Sequence, residues 1–221
     1  MIKRLIYFLL FFTVIVYSQN ENSLNDSIKK YRFTNPSKAI DFGIEFTNKY
    51  YDVKPTKIIY QTYGLIGEIL QSSGLDDLAL EYFNQTIKQY QSLPDSEKSF
   101  PSINYPPYII LNIGNIYLQN RNFEEAYKKY YQAIDLFNKI ENKNVKFSGL
   151  NTSYSNIGLI EDLKGNLDKA DSIYFQVYQK RITSPKHEDI LYSLALLLSV
   201  EIRKNDFSVA QSRLKEIETY Y

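Results

Sequence analysis

Apolar residues recur along this chain at intervals of three and four, which is the spacing of one face of an α-helix. The pattern is clearest in the stretch Ile113–Ala133, which reads I-G-N-I-Y-L-Q-N-R-N-F-E-E-A-Y-K-K-Y-Y-Q-A. Turn-forming residues at 120–122 interrupt it, and a second apolar stripe follows them from just before Ala126. The stretch therefore predicts two helices joined by a short turn.

The same skeleton recurs on both sides of this stretch. In three places a glycine is followed twelve residues later by an alanine, and weaker copies keep only the alanine, at Ala39 and Ala210. The successive alanines are 40, 47, 44 and 40 residues apart. A repeat of this length is typical of stacked helical hairpins, in which each unit buries its apolar face against its neighbours.

The repeated glycines need a physical reason, because glycine inside a helix costs about 1 kcal/mol relative to alanine. We expect that the two helices of each hairpin approach closely where the glycine faces the alanine. On this interpretation the recurring skeleton of the repeat serves packing rather than binding. The packing residues are Gly67, Ala79, Gly114, Ala126, Gly158, Ala170 and Ala210.

Helix caps and turns support the same division of each repeat into two helices. Asn122 stands where its side chain can cap the second helix, and Asn35, Asn166 and Asp206 hold the same place relative to their own alanines. Short turns are expected between the helices of each pair. They are marked by Gly74, by residues 120–122, by Gly165 and by Asn205.

With these features the chain resembles the tetratricopeptide repeat (TPR), a helix-turn-helix unit with small residues at fixed places in both helices. Three clear units run from about Tyr60 to Leu93, Pro107 to Ile140 and Asn151 to Ser184, with a degenerate unit on each side. The resemblance implies an all-α, right-handed superhelical solenoid of about five hairpins over residues 26–221. The intervals exceed the usual 34-residue period, so the extra residues are expected to lengthen helices or the proline-rich connection Pro94–Pro107.

The resemblance also implies a concave groove, lined by the first helices, that binds extended peptides or protein segments. Asparagines two residues before the glycine bind the ligand backbone in peptide-binding members. The candidate groove residues here are Asn112, Asn115, Asn156, Glu68 and Tyr108. The alternative is that Asn112 and Asn156 only bond neighbouring helices.

The first residues resemble an export signal. Lys3 and Arg4 precede an apolar run from Leu5 to Tyr17, and Ser18 favours cleavage before Gln19. The alternative is a retained anchor, but this run is shorter than the roughly 20 residues that span a bilayer. We therefore expect a signal peptide over residues 1–18, a flexible segment over 19–25, and a periplasmic or extracellular protein of the bacterial envelope. The chain has no cysteine, so it is not a lipoprotein.

The charge balance argues against some partners. The chain has 26 basic and 25 acidic residues, and losing Lys3 and Arg4 with the signal peptide leaves 24 basic residues. A net charge near zero gives no electrostatic attraction to nucleic acid or to anionic lipid. We expect no nucleic-acid partner and no membrane span after cleavage.

Catalysis is not expected either. His187 is the only histidine and there is no cysteine, so histidine-based triads and thiolate metal sites are excluded. Glycine-rich phosphate loops are missing as well. Adjacent carboxylates such as Glu161 and Asp162 point in different directions on a helix. No catalytic residue, metal or cofactor is predicted.

The leading hypothesis is a non-catalytic, exported scaffold that binds a protein or peptide in its groove. The alternative is a ligand-sensing module for a small molecule or glycan, which could be a sensory part of a signalling system. The C-terminal helix carries several apolar residues, among them Val209, Leu214 and Ile217. A frayed end, self-association through this helix, or a lost continuation would each explain them.

Overall fold

The computed structural model describes residues 22–98 and 106–220. The signal peptide predicted for residues 1–18 lies outside this part of the chain. Within the described residues all regular structure is helical, as the apolar spacing predicts, and none of it is strand.

Ten helices are present in the described residues, and a short 3₁₀ turn, Asp95–Glu97, follows the fourth. Residues 22–31 form α1. The others are α2 (Pro36–Tyr50), α3 (Lys57–Ser72), α4 (Asp76–Gln91), α5 (Pro106–Gln119), α6 (Phe123–Asn138), α7 (Lys143–Leu163), α8 (Leu167–Arg181), α9 (His187–Arg203) and α10 (Phe207–Glu218). At 21 residues α7 is seven residues longer than α5, so helix length accounts for part of the extended repeat period.

The chain divides into two compact units, Met1–Asn112 and Ile113–Tyr221, with the division inside α5. In the first unit α3 packs against both α2 and α4. In the second unit each helix from α6 to α10 packs against the next one along the chain. Consecutive helices thus form the hairpins that the repeat predicts.

The first hairpin begins earlier than the sequence boundary at residue 26. Leu24 and Asn25 are already helical and buried, and the Asn25 amide donates a hydrogen bond of 2.6 Å to the Thr62 hydroxyl of α3. Residues 22–25 therefore belong to the packed structure rather than to the flexible segment predicted for residues 19–25.

The turns of the four following hairpins share one backbone geometry. Gly74, Arg121, Gly165 and Asn205 have positive φ angles of 75°, 56°, 82° and 61°. The N–H of the next residue donates to the carbonyl five residues earlier, at 2.8 to 2.9 Å in every case. This left-handed C-terminal cap satisfies carbonyl groups that the end of a helix leaves free. The turn positions expected from the sequence are confirmed.

Two of the four predicted side-chain caps form. The side chains of Asn35 and Asn122 accept from the backbone N–H three residues later, at 3.1 and 3.4 Å. The predicted caps at Asn166 and Asp206 are wrong, because neither side chain makes a cap hydrogen bond. Asn166 donates to a carboxylate of α7, and Asp206 pairs with Lys204 at 3.6 Å.

The repeated glycines do mark close approaches, but the partner differs from the predicted one. A Cβ placed on each glycine would lie only 2.5 to 2.6 Å from the nearest atom of an aromatic ring on the second helix. The pairs are Gly67 with Phe83, Gly114 with Tyr130 and Gly158 with Tyr174. The ring belongs to the residue four positions after the alanine, so the nearest neighbour of each glycine is this ring rather than the alanine that we expected. The alanines are nonetheless buried, with at most 6% exposure.

Candidate functional site

A cluster of amides lies in the second unit, centred on Asn115. The side-chain oxygen of Asn115 accepts from the Tyr130 hydroxyl at 2.9 Å and from the Asn156 amide at 2.8 Å. Asn115 and Asn156 are half-buried, whereas Tyr130 is fully buried. One carbonyl group therefore ties α5 to both α6 and α7.

The cluster has a hydrogen-bond donor and an acceptor that bond no other described residue. A carboxamide carries two N–H donors and one carbonyl acceptor. Among the described residues, the amide nitrogen of Asn115 and the carbonyl oxygen of Asn156 have no partner. Burial raises the pKa of Tyr130, so its hydroxyl stays protonated and holds the Asn115 carbonyl in place. Asn156 does bond a neighbouring helix, as the alternative interpretation holds, but its carbonyl oxygen stays open.

The other candidate groove residues lie in the first unit. Asn112 is half-buried, and its backbone carbonyl accepts from the Gln71 side chain at 3.3 Å. Tyr108 and Glu68 are also half-buried. Burial raises the pKa of Glu68 to about 7, although the positive charge of Arg32 acts in the opposite direction. Of the five candidates, only Asn115 and Asn156 are bonded to each other through their side chains.

A buried carboxylate that the sequence analysis did not single out lies in the last turn of α7. Glu161 is 1% exposed, accepts from the Tyr127 hydroxyl and from the Asn166 amide, and pairs with Lys169. Burial alone would raise its pKa, but these partners lower the pKa to about 2. Glu161 is therefore a fixed anion that joins α7 to α6 and α8. The sequence signal was a charge at a place that the two preceding repeats fill with Leu70 and Tyr117.

The next repeat has a carboxylate at the equivalent place in α9. Glu201 is 3% exposed and accepts from Arg213 of α10 at 2.9 and 3.3 Å. Arg213 also bonds Glu216 at 3.0 Å, and Glu216 accepts from the hydroxyl of Tyr178. The two buried carboxylates therefore hold helices together.

The neighbouring residue Asp162 is engaged elsewhere. It forms an ion pair with Arg203 of α9, which also donates to the Asp162 backbone carbonyl at 3.1 Å. Glu161, by contrast, bonds residues of α6 and α8. The two adjacent carboxylates thus face different helices and do not form a shared reacting centre.

Membrane-spanning helices and metal-binding clusters are both missing from the described residues. No helix among residues 22–98 and 106–220 is both long and apolar enough to cross a membrane. In the same ranges no three or more acidic or histidine side chains are grouped so that they could hold a metal ion.

Comparison with solved structures defines the class of protein. BtubC from P. vanneervenii aligns with a TM-score of 0.69 and 17% identity, covering 91% of this chain and 78% of that one. TPR-like repeats of Podosopora anserina, assigned to a kinesin light chain, align with a TM-score of 0.67 and 14% identity, covering 90% and 92%. At identities this low the alignments show the fold alone, which is the TPR-type helical solenoid.

The match to a family model covers a single hairpin. Residues 107–139 match the tetratricopeptide repeat model, and this segment coincides with the predicted unit Pro107–Ile140. A comparison with curated protein sequences gives no match. The hairpin of α5 and α6 is thus the part of the chain that matches the tetratricopeptide repeat model.

Proposed function

We propose that the protein is a non-catalytic interaction scaffold that binds an extended peptide segment of a partner protein at Asn115 and Asn156. The observation that carries this proposal is the open donor on Asn115 beside the open acceptor on Asn156. A peptide backbone offers one acceptor and one donor per residue, so the amide pair complements it. The TPR-type fold supports the same conclusion, since such repeats generally mediate protein interactions.

A peptide display experiment tests this proposal. Random peptides would be selected for binding to residues 19–221, and the affinity of the selected peptides would be measured by isothermal titration calorimetry. Losing one hydrogen bond to a half-buried group costs about 1 to 2 kcal/mol, so Asn156→Ala should weaken binding by about tenfold. Asn115→Ala should do the same.

Asn144→Ala is the matched control, because Asn144 is an exposed asparagine in the first turn of the same helix as Asn156. It should leave peptide affinity unchanged. Melting curves of all three variants would separate loss of the site from loss of the fold. The proposal is wrong if folded Asn115→Ala and Asn156→Ala proteins bind the selected peptides as well as the parent does.

We also propose that the scaffold works outside the cytoplasm, in the periplasm or beyond the cell. The support is the charged and then apolar pattern of residues 3–17. N-terminal sequencing of the protein recovered from an expressing bacterium should give Gln19 as the first residue. Recovery of an uncleaved chain in the cytoplasmic fraction would contradict this location.

A further inference from the structure

A pocket in the first unit is separate from the amide cluster. It lies between the C-terminal end of α2, the middle of α3 and the first half of α4, and its volume is about 510 Å³. This volume falls within the range of roughly 300 to 1,000 Å³ that small-molecule sites occupy. Its main lining residues are Tyr51, Asp52, Tyr63, Glu81, Tyr82 and Gln85.

The lining combines aromatic rings with negative charge. Three tyrosines and two carboxylates face the pocket, together with neutral polar side chains, and no lysine, arginine or histidine is among them. The rings of Tyr63 and Tyr82 lie 5.8 Å apart, tilted by 35°. Aromatic faces and carboxylates both attract cations, and they reinforce each other where water is partly excluded.

Tyr63 supplies an unsatisfied group at the pocket. Its side chain is buried, at 4% exposure, and its hydroxyl has no partner among the described residues. Burial, with smaller contributions from the neighbouring Tyr82, Tyr51 and Asp52, raises the pKa of Tyr63 to about 12. Tyr63 lines the pocket together with these three neighbours.

The second unit contains a smaller pocket at the equivalent place, about 220 Å³ in volume. Tyr154 lines it, four residues before Gly158, just as Tyr63 stands four residues before Gly67. The ammonium group of Lys180 lies 5.1 Å from the centre of the Tyr154 ring, and no carboxylate is in the lining. At this position of the repeat, the chain itself places an alkylammonium group on the tyrosine.

We propose that the pocket of the first unit binds the alkylammonium group of an organic amine. The carboxylates of Asp52 and Glu81 balance its charge, and the tyrosine rings contact its methylene groups and its ammonium. Lys180 on Tyr154 is the intramolecular counterpart of this contact. The pocket would thus give the scaffold a small-molecule site of its own.

A series of probes with the same carbon chain tests the proposal. Cadaverine, pentylamine and pentanol carry two, one and no positive charges, and each would be titrated into residues 19–221 and followed by NMR. Affinity should rise with charge, and the shifted resonances should be those of the lining residues. Equal binding of pentanol and pentylamine, or no saturable binding of any amine at millimolar concentration, would overturn the proposal.

Charge-neutralising variants identify the residues involved. Asp52 and Glu81 are exposed, so Asp52→Asn and Glu81→Gln should fold normally, and each should weaken cadaverine binding at least about fivefold, equivalent to about 1 kcal/mol. Asp41→Asn and Glu45→Gln are matched controls, because both acids are exposed on α2 and neither lines the pocket. Equal losses in the controls would mean that the amine binds the general charge of the surface.

Two other variants report on the geometry. Tyr82→Leu removes one aromatic ring from the lining, so it should weaken pentylamine binding. Gln85→Lys adds an ammonium group to the lining and should compete with the amine, as Lys180 occupies the second pocket. Unchanged affinity in both variants would exclude this mode of binding.

The source of the amine is decided by one more probe. Blocked lysine, acetylated at its α-amino group and amidated at its carboxyl group, presents the side-chain ammonium as a peptide would. Tighter binding of blocked lysine than of pentylamine would assign the pocket to a lysine side chain of a partner. Weaker binding would assign it to a free amine, and either result keeps the alkylammonium chemistry.

Discussion

At the residue scale, the signature glycines matter because an aromatic ring lies directly over each of them. At Gly67 a methyl group would lie 2.6 Å from two carbon atoms of the Phe83 ring, which is well inside van der Waals contact. The ring is fully buried and has no free space into which it can move. The low helix propensity of glycine is therefore offset by the packing of the ring.

Gly67→Ala should lower the free energy of unfolding by about 1 to 3 kcal/mol through overpacking, despite the higher helix propensity of alanine. Urea denaturation would measure the change. Phe83→Leu should remove much of the penalty of the alanine when the two are combined, since it shortens the group that clashes. Gly43→Ala is the milder comparison, because its added methyl group would lie 3.0 Å from the nearest atom of Ile66 rather than 2.6 Å from a ring. A parent-like stability of Gly67→Ala would contradict the contact.

Glu68 and Glu161 should give opposite pH dependences. The pKa of Glu68 is raised from 4.5 to about 7 in the folded protein, so its contribution to stability is present below pH 4.5 and lost as the pH rises through 7. Glu68→Gln should therefore raise the free energy of unfolding at pH 8, by about 1 to 3 kcal/mol, and leave it nearly unchanged at pH 4.

Glu161 has the lowered pKa, about 2, so its contribution is present above pH 4.5 and lost as the pH falls through 2. Glu161→Gln should destabilise the protein at pH 7 and flatten the acid side of its stability profile. Denaturant titrations across the pH range would follow both variants. The assignment fails if Glu68→Gln and Glu161→Gln shift stability in the same direction at pH 8.

At the scale of the helix and the turn, the four similar hairpin turns use different residues for the same conformation. Glycine adopts a positive φ without steric cost, whereas a residue with a side chain pays about 1 to 2 kcal/mol. Arg121 and Asn205 occupy this conformation where two other turns use glycine. The backbone hydrogen bond that closes each turn is the same in all four, so the turn geometry outweighs the residue preference.

Arg121→Gly should raise the free energy of unfolding by up to about 1 kcal/mol, because glycine relieves the positive φ angle. Gly165→Ala should lower it by about 1 to 2 kcal/mol for the converse reason. Thermal and urea unfolding would measure both. A destabilised Arg121→Gly protein would show that the arginine side chain makes a contribution larger than its backbone strain.

At the scale of the whole molecule, the features that the sequence predicts correctly are those that depend on neighbouring residues. The hairpins follow from helical apolar spacing, and the turns follow from glycine and asparagine at the helix ends. These signals act over a few residues. The boundary at residue 26 was misplaced because α1 is fixed by a contact between Asn25 and Thr62, 37 positions apart, which no local pattern reveals.

The site was predictable only in part for the same reason. Asn115 and Asn156 were identified individually from their places beside the glycines, but the bond between them joins residues 41 positions apart. The partner of Glu161 on α6 is 34 positions away, so no local pattern in the sequence reveals this bond. The amine pocket depends on side chains from three helices, and no motif connects them.

The apolar face of α10 leads to a prediction about assembly. Phe207, Val209 and Leu214 are 63%, 46% and 47% exposed, whereas Ile217 and Tyr220 pack against the cluster of α8 and α9. Exposed apolar patches of this kind favour association. Residues 19–221 should therefore form dimers or larger species at high concentration, and Phe207→Ser with Leu214→Ser should make the protein monomeric. Light scattering would measure the mass, and a parent protein that is monomeric at every concentration would contradict the prediction.

The contact between ring and glycine also has a mechanical consequence. In all three well-formed repeats the two residues are 16 positions apart, so each contact closes a loop of the same length. If the protein were stretched from its ends, each ring would leave its glycine as one hairpin opened. Single-molecule force spectroscopy should then record three steps of nearly equal extension, one for each of these repeats.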